Sequence, residues 1–177
     1  ARNYLKANVM TVSLKGNHYL GAHDLRWGAE WKRQQFNDNQ REWEMRDSAG
    51  YSLPHTGERV ELIYNLRSRN AVRNHRLAAF AQDTWRKHTG VGLFVLNGGV
   101  RLSYWSWNGE PLLSPRLSVG FIPEANDKFT FRLATGLYYQ SPFYKEFRDT
   151  VQAGGSSLVR LNRDIKSQRS IQVVGAM

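Results

Sequence analysis

The stretch Leu113–Gln140, LSPRLSVGFIPEANDKFTFRLATGLYYQ, limits the fold more than any other part of the chain, because it holds two alternating runs joined by a polar turn at Pro123–Lys128. In the first run Leu117, Val119 and Phe121 point one way, and Arg116, Ser118 and Gly120 the other. In the second, Phe129, Phe131, Leu133 and Leu137 share a parity with Thr135, against Thr130, Arg132, Ala134, Gly136 and Tyr138. A period of two is a strand pattern, and a short polar connection makes the two strands antiparallel neighbours. An arginine in the second row of each strand asks for a wet side, while the apolar row asks for a dry one.

The same alternation recurs upstream. Leu25, Trp27, Ala29 and Trp31 oppose Asp24, Arg26, Gly28, Glu30 and Lys32, after a run over Asn8–Tyr19 and a glycine turn at Leu20-Gly21-Ala22. Further runs cover Asn74–Arg86, with Leu77, Ala79, Ala81 and Trp85 as a dry row, and Phe94–Ser106; a last one begins near Ser167. The pattern therefore predicts an all-β antiparallel fold of about seven strands. Residues 37–73 and 141–167 break the alternation and are read as long loops. The connections alternate short and long, the rhythm of a barrel with turns on one rim and loops on the other. A soluble β-sandwich, in which the same apolar rows form the core, is the alternative.

Composition narrows the function classes. The 177 residues hold no cysteine, so neither a disulfide framework nor a thiolate metal site is available. No apolar run approaches the roughly 18 residues of a membrane helix, which leaves a membrane barrel open, since barrel strands need only about 9–11 residues. The formal charge of +10 and the series Arg67, Arg69, Arg73 and Arg76 would suit phosphate or acidic groups. No aromatic platform at strand spacing accompanies them, so nucleic acid is not read as a partner. His18, His23, His55, His75 and His88 form no HExxH pair and no nucleophile elbow occurs, so no catalytic, metal or cofactor site is read and the chain is not expected to be an enzyme.

In combination, GNHYLGAHDLRWGAEW at Gly16–Trp31, LAAFAQDTWR at Leu77–Arg86, GGVRLSY at Gly98–Tyr104, the Leu113–Pro142 segment and LNRDIKSQRS at Leu161–Ser170 resemble the C-terminal part of the barrel of a TonB-dependent outer-membrane receptor. The resemblance runs from about Asn8 onward. It departs at Arg163–Arg169, where similar receptors often carry Asn-Pro-Asp-Leu-Lys-Pro-Glu, and this leaves the subgroup open. It implies a transmembrane β-barrel segment, residues 1–177, belonging to a larger barrel whose plug domain and energy-coupling box are absent from this stretch. It implies a bacterial outer-membrane location and substrate import driven through a TonB-type coupling protein, without covalent catalysis. Membrane lipid, the receptor's own N-terminal plug and a surface lipoprotein are the implied partners. A passive porin, a structural barrel holding a surface protein and a lipid-modifying barrel enzyme are the alternatives.

The resemblance also gives roles to the two rows. Leu25, Trp27, Ala29, Trp31, Leu117, Val119, Phe121, Phe129, Phe131 and Leu133 would face lipid, and Arg26, Glu30, Lys32, Arg101, Arg116 and Arg132 the lumen. Substrate would meet loop residues on the outside: Trp43, Tyr51, Tyr64, Tyr139, Phe143, Tyr144 and Phe147, with Arg67 and Arg148 as charge partners. Aromatic rings suit a sugar or a chelate, and arginines suit anionic groups.

Overall fold

The computed structural model describes residues 2–46, 61–126, 128–146, 148–153 and 156–177. They form nine strands: β1 (Arg2–Leu20), β2 (His23–Arg46), β3 (Glu61–Thr89), β4 (Gly92–Trp105), β5 (Glu110–Pro123), β6 (Phe131–Gln140), β7 (Arg148–Ala153), β8 (Ser156–Leu161) and β9 (Gln168–Ala176). One sheet contains them all, in the order β1-β2-β3-β4-β5-β6-β9, with β7 paired to β8 off this path. The all-β antiparallel prediction holds, and the path has the expected seven strands.

Two compact units divide the chain. The ladder unit comprises Met10–Arg33, Asn74–Pro142 and Ile165–Met177. Its strands are joined as a meander, and its registers place every side chain in a lateral row. Leu77, Tyr104 and Pro111 are successive partners, as are Ala81, Val100 and Pro115. Val119 pairs Leu96 on one side and Leu133 on the other, and Leu133 pairs Gly175. Paired residues share a face, so an apolar row in one strand continues across its neighbours. Two glycines set the tight turns: Gly21 has φ 59°, and Gly92 has φ 148° with the position of an added Cβ only 2.2 Å from the Ile122 carbonyl oxygen. Both are conformations that only glycine adopts without strain.

The hairpin unit comprises Ala1–Val9, Gln34–Arg73 and Phe143–Asp164. Here β7 and β8 form an antiparallel pair, and β8 meets β3 in parallel at Ser157 and Leu66. Leu66, Ser68 and Val72 are buried, in alternation with exposed Arg67, Arg69 and Arg73.

Three expectations about elements are corrected. Much of 37–73 is strand, since β2 runs to Arg46 and β3 begins at Glu61. Backbone pairing continues there although the apolar and polar alternation that betrays a strand has faded, because ladder hydrogen bonds do not depend on side-chain polarity. The range 141–167 contains the β7–β8 hairpin and is not loop throughout. Phe129 lies in the connection ahead of β6, which starts at Phe131.

Candidate functional site

In the ladder unit the apolar face is exposed, while several polar side chains are buried. Leu133 is 58% exposed, Leu102 56% and Leu117 47%, whereas Asp24, Asn74, Thr84 and Ser114 are buried. Such an inversion would be ruinous in water, where apolar burial drives folding at about 25 cal/mol per Å². It is the arrangement required by an apolar solvent on one side.

The face is bounded along the strands by aromatic rings. At one end Phe94 and Phe121 are register partners with ring centroids 4.6 Å apart, Phe131 pairs Phe121, and Trp85 pairs Leu96. At the other end Trp31 stacks on His75 at 5.8 Å and donates its Nε1–H to His75 Nδ1, with Tyr104 and Tyr139 on the same row. From His75 to Trp85 is about 33 Å along the strand at about 3.3 Å per residue, or about 25 Å in height at a strand tilt of about 40°. That matches the lipid-facing band of an outer-membrane barrel, about 25 Å tall between two aromatic girdles. A shallow apolar hollow on this face is lined by Val12, Leu14, Ala29, Trp31, Leu77, Ala79, Leu102 and Tyr104.

The opposite face is polar and internally paired. Asp24 accepts from Arg26 through both carboxylate oxygens, at 2.8 and 3.3 Å, and Lys32 lies 3.4 Å from Glu30. Arg116 sits 4.7 Å above the Tyr138 ring, which in turn covers Gly136. Phe80 similarly covers Gly28, so the glycines on this face receive large neighbours. A hollow of about 500 Å³ is lined by Arg26, Thr84, Arg86, Asn97, Ser118 and Arg132, and a second takes Arg101 and Arg116 with Gln82 and Ser114. At one end of this face Arg76 stacks 4.6 Å over Trp105, whose indole N–H is donated to buried Asn74.

Thus Arg26, Glu30, Lys32, Arg101, Arg116 and Arg132 stand on the polar face, and Leu25, Trp27, Trp31, Leu117, Val119, Phe121, Phe131 and Leu133 on the apolar one. Trp27 packs over Gly16 and stacks on His18 at 6.4 Å. Tyr139 pairs Arg169 and belongs to the apolar row; Tyr138 is the tyrosine on the polar face, as its parity with Arg132 implies.

In the hairpin unit the structure organises residues that sequence reading scattered. Asp38, 4% exposed, accepts from the Tyr144 hydroxyl at 3.0 Å and from Arg148 Nη1 at 2.8 Å. Phe36 stacks on the Tyr144 ring at 4.9 Å, and Arg148 lies 5.4 Å from that ring. Burial, followed by the charge of Asp38 and the hydrogen bond to it, holds the Tyr144 phenol well above its ordinary range, so it stays a donor. Tyr144 and Arg148 are therefore engaged in internal contacts and present little surface. Trp43 and Phe143 are exposed, Tyr64 is half-buried, and Arg67 is exposed on the row with Arg69 and Arg73. Tyr51 and Phe147 lie outside the described residues. Asp38 and Phe36 escaped sequence reading because their partner Tyr144 is more than a hundred residues away, Asp38 and Tyr144 being 106 apart.

An antiparallel meander with one dry face edged by aromatics and one wet face rich in arginine defines a wall of a membrane β-barrel. The β-barrel of TonB-dependent receptor-like proteins matches residues 2–175, and the chain belongs to that family. The family is one of bacterial outer-membrane receptor and transport barrels and is not an enzyme family. No curated protein and no solved structure shows a significant match to the chain.

Proposed function

We propose that the chain is part of the wall of an outer-membrane receptor that binds an external substrate and imports it with energy delivered by a TonB-type coupling protein. The carrying observation is the exposed apolar face of the ladder unit, about 25 Å in height between its aromatic ends. In this reading Leu25, Trp27, Trp31, Leu117, Val119, Phe121, Phe131 and Leu133 face hydrocarbon. Arg26, Glu30, Lys32, Arg101, Arg116 and Arg132 face the lumen and the receptor's own plug domain, because an arginine turned to lipid at mid-depth costs about 2–4 kcal/mol. Trp43, Tyr64 and Phe143, with Tyr51 and Phe147, are the aromatic candidates for substrate contact. Tyr144 and Arg148 hold the segment that displays them.

Uptake of ferric chelates, cobalamins, glycans and peptides by cells carrying the full gene, with and without the coupling protein, tests the reading. Uptake of one class that stops without coupling is the expected result. Uptake that continues unchanged without it identifies a passive pore.

A further inference from the structure

Within the ladder unit each of the strands β3 to β6 sets one exposed arginine on the polar face: Arg86, Arg101, Arg116 and Arg132. The registers put them in order. Arg101 pairs Phe80, Arg116 pairs Gly99 opposite Gln82, and Arg132 is joined through Gly120 and Val95 to the row of Arg86. Successive Cα positions therefore lie about 8–14 Å apart, at about 4.8 Å per strand and 3.3 Å per residue. Counter-charge is scarce on these strands. Among the described residues their polar rows hold one carboxylate in this unit, Glu110, which lies beside Trp105 and accepts from Asn108 and Ser167. On β2 the acids are held already, Asp24 by Arg26 and Glu30 by Lys32. Among the described residues none of the four arginines has an ion-pair partner. Neutral polar groups fill the spaces between them: Gln82 and Ser114 beside Arg101 and Arg116, and Thr84, Asn97 and Ser118 beside Arg86 and Arg132. Like charges gathered on one wall repel one another, and the field they share concentrates anions in front of it.

We propose that Arg86, Arg101, Arg116 and Arg132 form a track for an oxyanion, so that the solute passing this wall carries carboxylate or phosphate groups. The inference rests on the reading of the polar face as the lumen wall of an importer and adds the charge of what is imported. A site built to retain one anion gathers its guanidiniums round a single point, where they clamp it in bidentate forks. Here they are dealt out one to a strand, with hydroxyl and amide groups between. That spacing favours handing an anion from one arginine to the next over holding it at any of them. Arg76, farther along β3, takes no part, since it donates to the Pro142 carbonyl and stacks on Trp105.

The potential in front of the track is read in the full-length receptor in its membrane, from single thiols introduced as Gln82→Cys or Ser118→Cys, since the chain has no cysteine of its own. Each thiol is reacted with an anionic and with a cationic methanethiosulfonate, and each rate is divided by that of a free thiol. The anionic reagent is expected to be favoured about tenfold, with the preference falling as salt is raised. Arg86→Gln/Arg116→Gln/Arg132→Gln is expected to abolish the preference, while the corresponding lysine triple variant keeps it. At constant ionic strength, inorganic phosphate and a dicarboxylate are compared as protectants of the Gln82→Cys thiol. The better protectant identifies the oxyanion, and protection by neither overturns the track. Equal normalised rates for the two reagents also overturn it, because the arginines are then neutralised from within, as by acidic side chains of the plug. So does a failure of both reagents to react at Gln82→Cys and Ser118→Cys, and none of these results depends on an arginine variant folding. Leu117→Cys separates the two readings. Reaction of the aqueous reagents there and not at Ser118→Cys sinks the lumen-facing row itself, whereas reaction at Ser118→Cys without charge preference sinks only the track.

Discussion

In the ladder unit Leu102, Leu117 and Leu133 lie open while Asp24, Asn74, Thr84 and Ser114 are buried; in the hairpin unit Leu66, Val72 and Tyr144 are buried while Arg67, Arg69 and Arg73 lie open. The strands β2 and β3 run through both, so the contrast is not one of chain or element. In β3 the exposed row is apolar at Leu77 in the ladder unit and basic at Arg67, Arg69 and Arg73 in the hairpin unit. The ladder unit is held by backbone pairing, and the hairpin unit also by the side-chain contacts of Asp38 with Tyr144 and Arg148.

The largest expected effect breaks the contrast between faces. Leu117→Arg places a charge mid-row and should destabilise the barrel by up to about 4 kcal/mol, whereas Ser118→Arg, one residue away on the wet face, should be nearly neutral. Heat-modifiable mobility and membrane yield read the difference, and equal tolerance of the two would remove the dry face.

Asp38→Ala turns from the wall to the hairpin unit. It leaves Arg148 and Tyr144 without their acceptor and should cost about 3 kcal/mol locally, roughly a hundredfold in opening of the segment. Amide exchange across β7 and β8 should accelerate while heat-modifiable mobility stays unchanged. Loss of barrel mobility as well would show that the two units do not behave separately.

Much of the wall was legible because a strand with different solvents on its faces writes that difference into every second residue. The runs ending at Trp31 and Phe121 announced the strands and the split of each into an apolar and a polar row. Residues 34–46 and 61–73 were opaque for the complementary reason: with Arg67, Arg69 and Arg73 outside and Ser68 and Asn70 inside, neither row reads as apolar, although the backbone still pairs. Asp38 was invisible because nothing local marks a carboxylate whose partners arrive from a distant hairpin.

Gly92→Ala sharpens the comparison at the turn of the ladder unit. Its backbone angle and the proximity of the Ile122 carbonyl predict a cost of about 2 kcal/mol, seen as slower assembly without altered amide exchange in β7 and β8. Assembly at the unaltered rate would mean that this turn tolerates a side chain. The smallest effect is expected from Tyr144→Phe. It keeps the stack on Phe36 and removes one hydrogen bond to Asp38, for about 1 kcal/mol of local stability. An effect as large as that of Asp38→Ala would place the work in the hydroxyl and not in the Arg148 ion pair.

The most direct test of the two-faced wall is a nitroxide scan of β5 in the reconstituted receptor, with one label at a time from Leu113 to Phe121. Collisions with oxygen report hydrocarbon, and collisions with a water-soluble nickel chelate report the aqueous side. The account predicts a period of two, with oxygen access highest at Leu113, Pro115, Leu117, Val119 and Phe121 and chelate access highest at Ser114, Arg116, Ser118 and Gly120. An absence of alternation, or the same alternation in opposite phase, would contradict it.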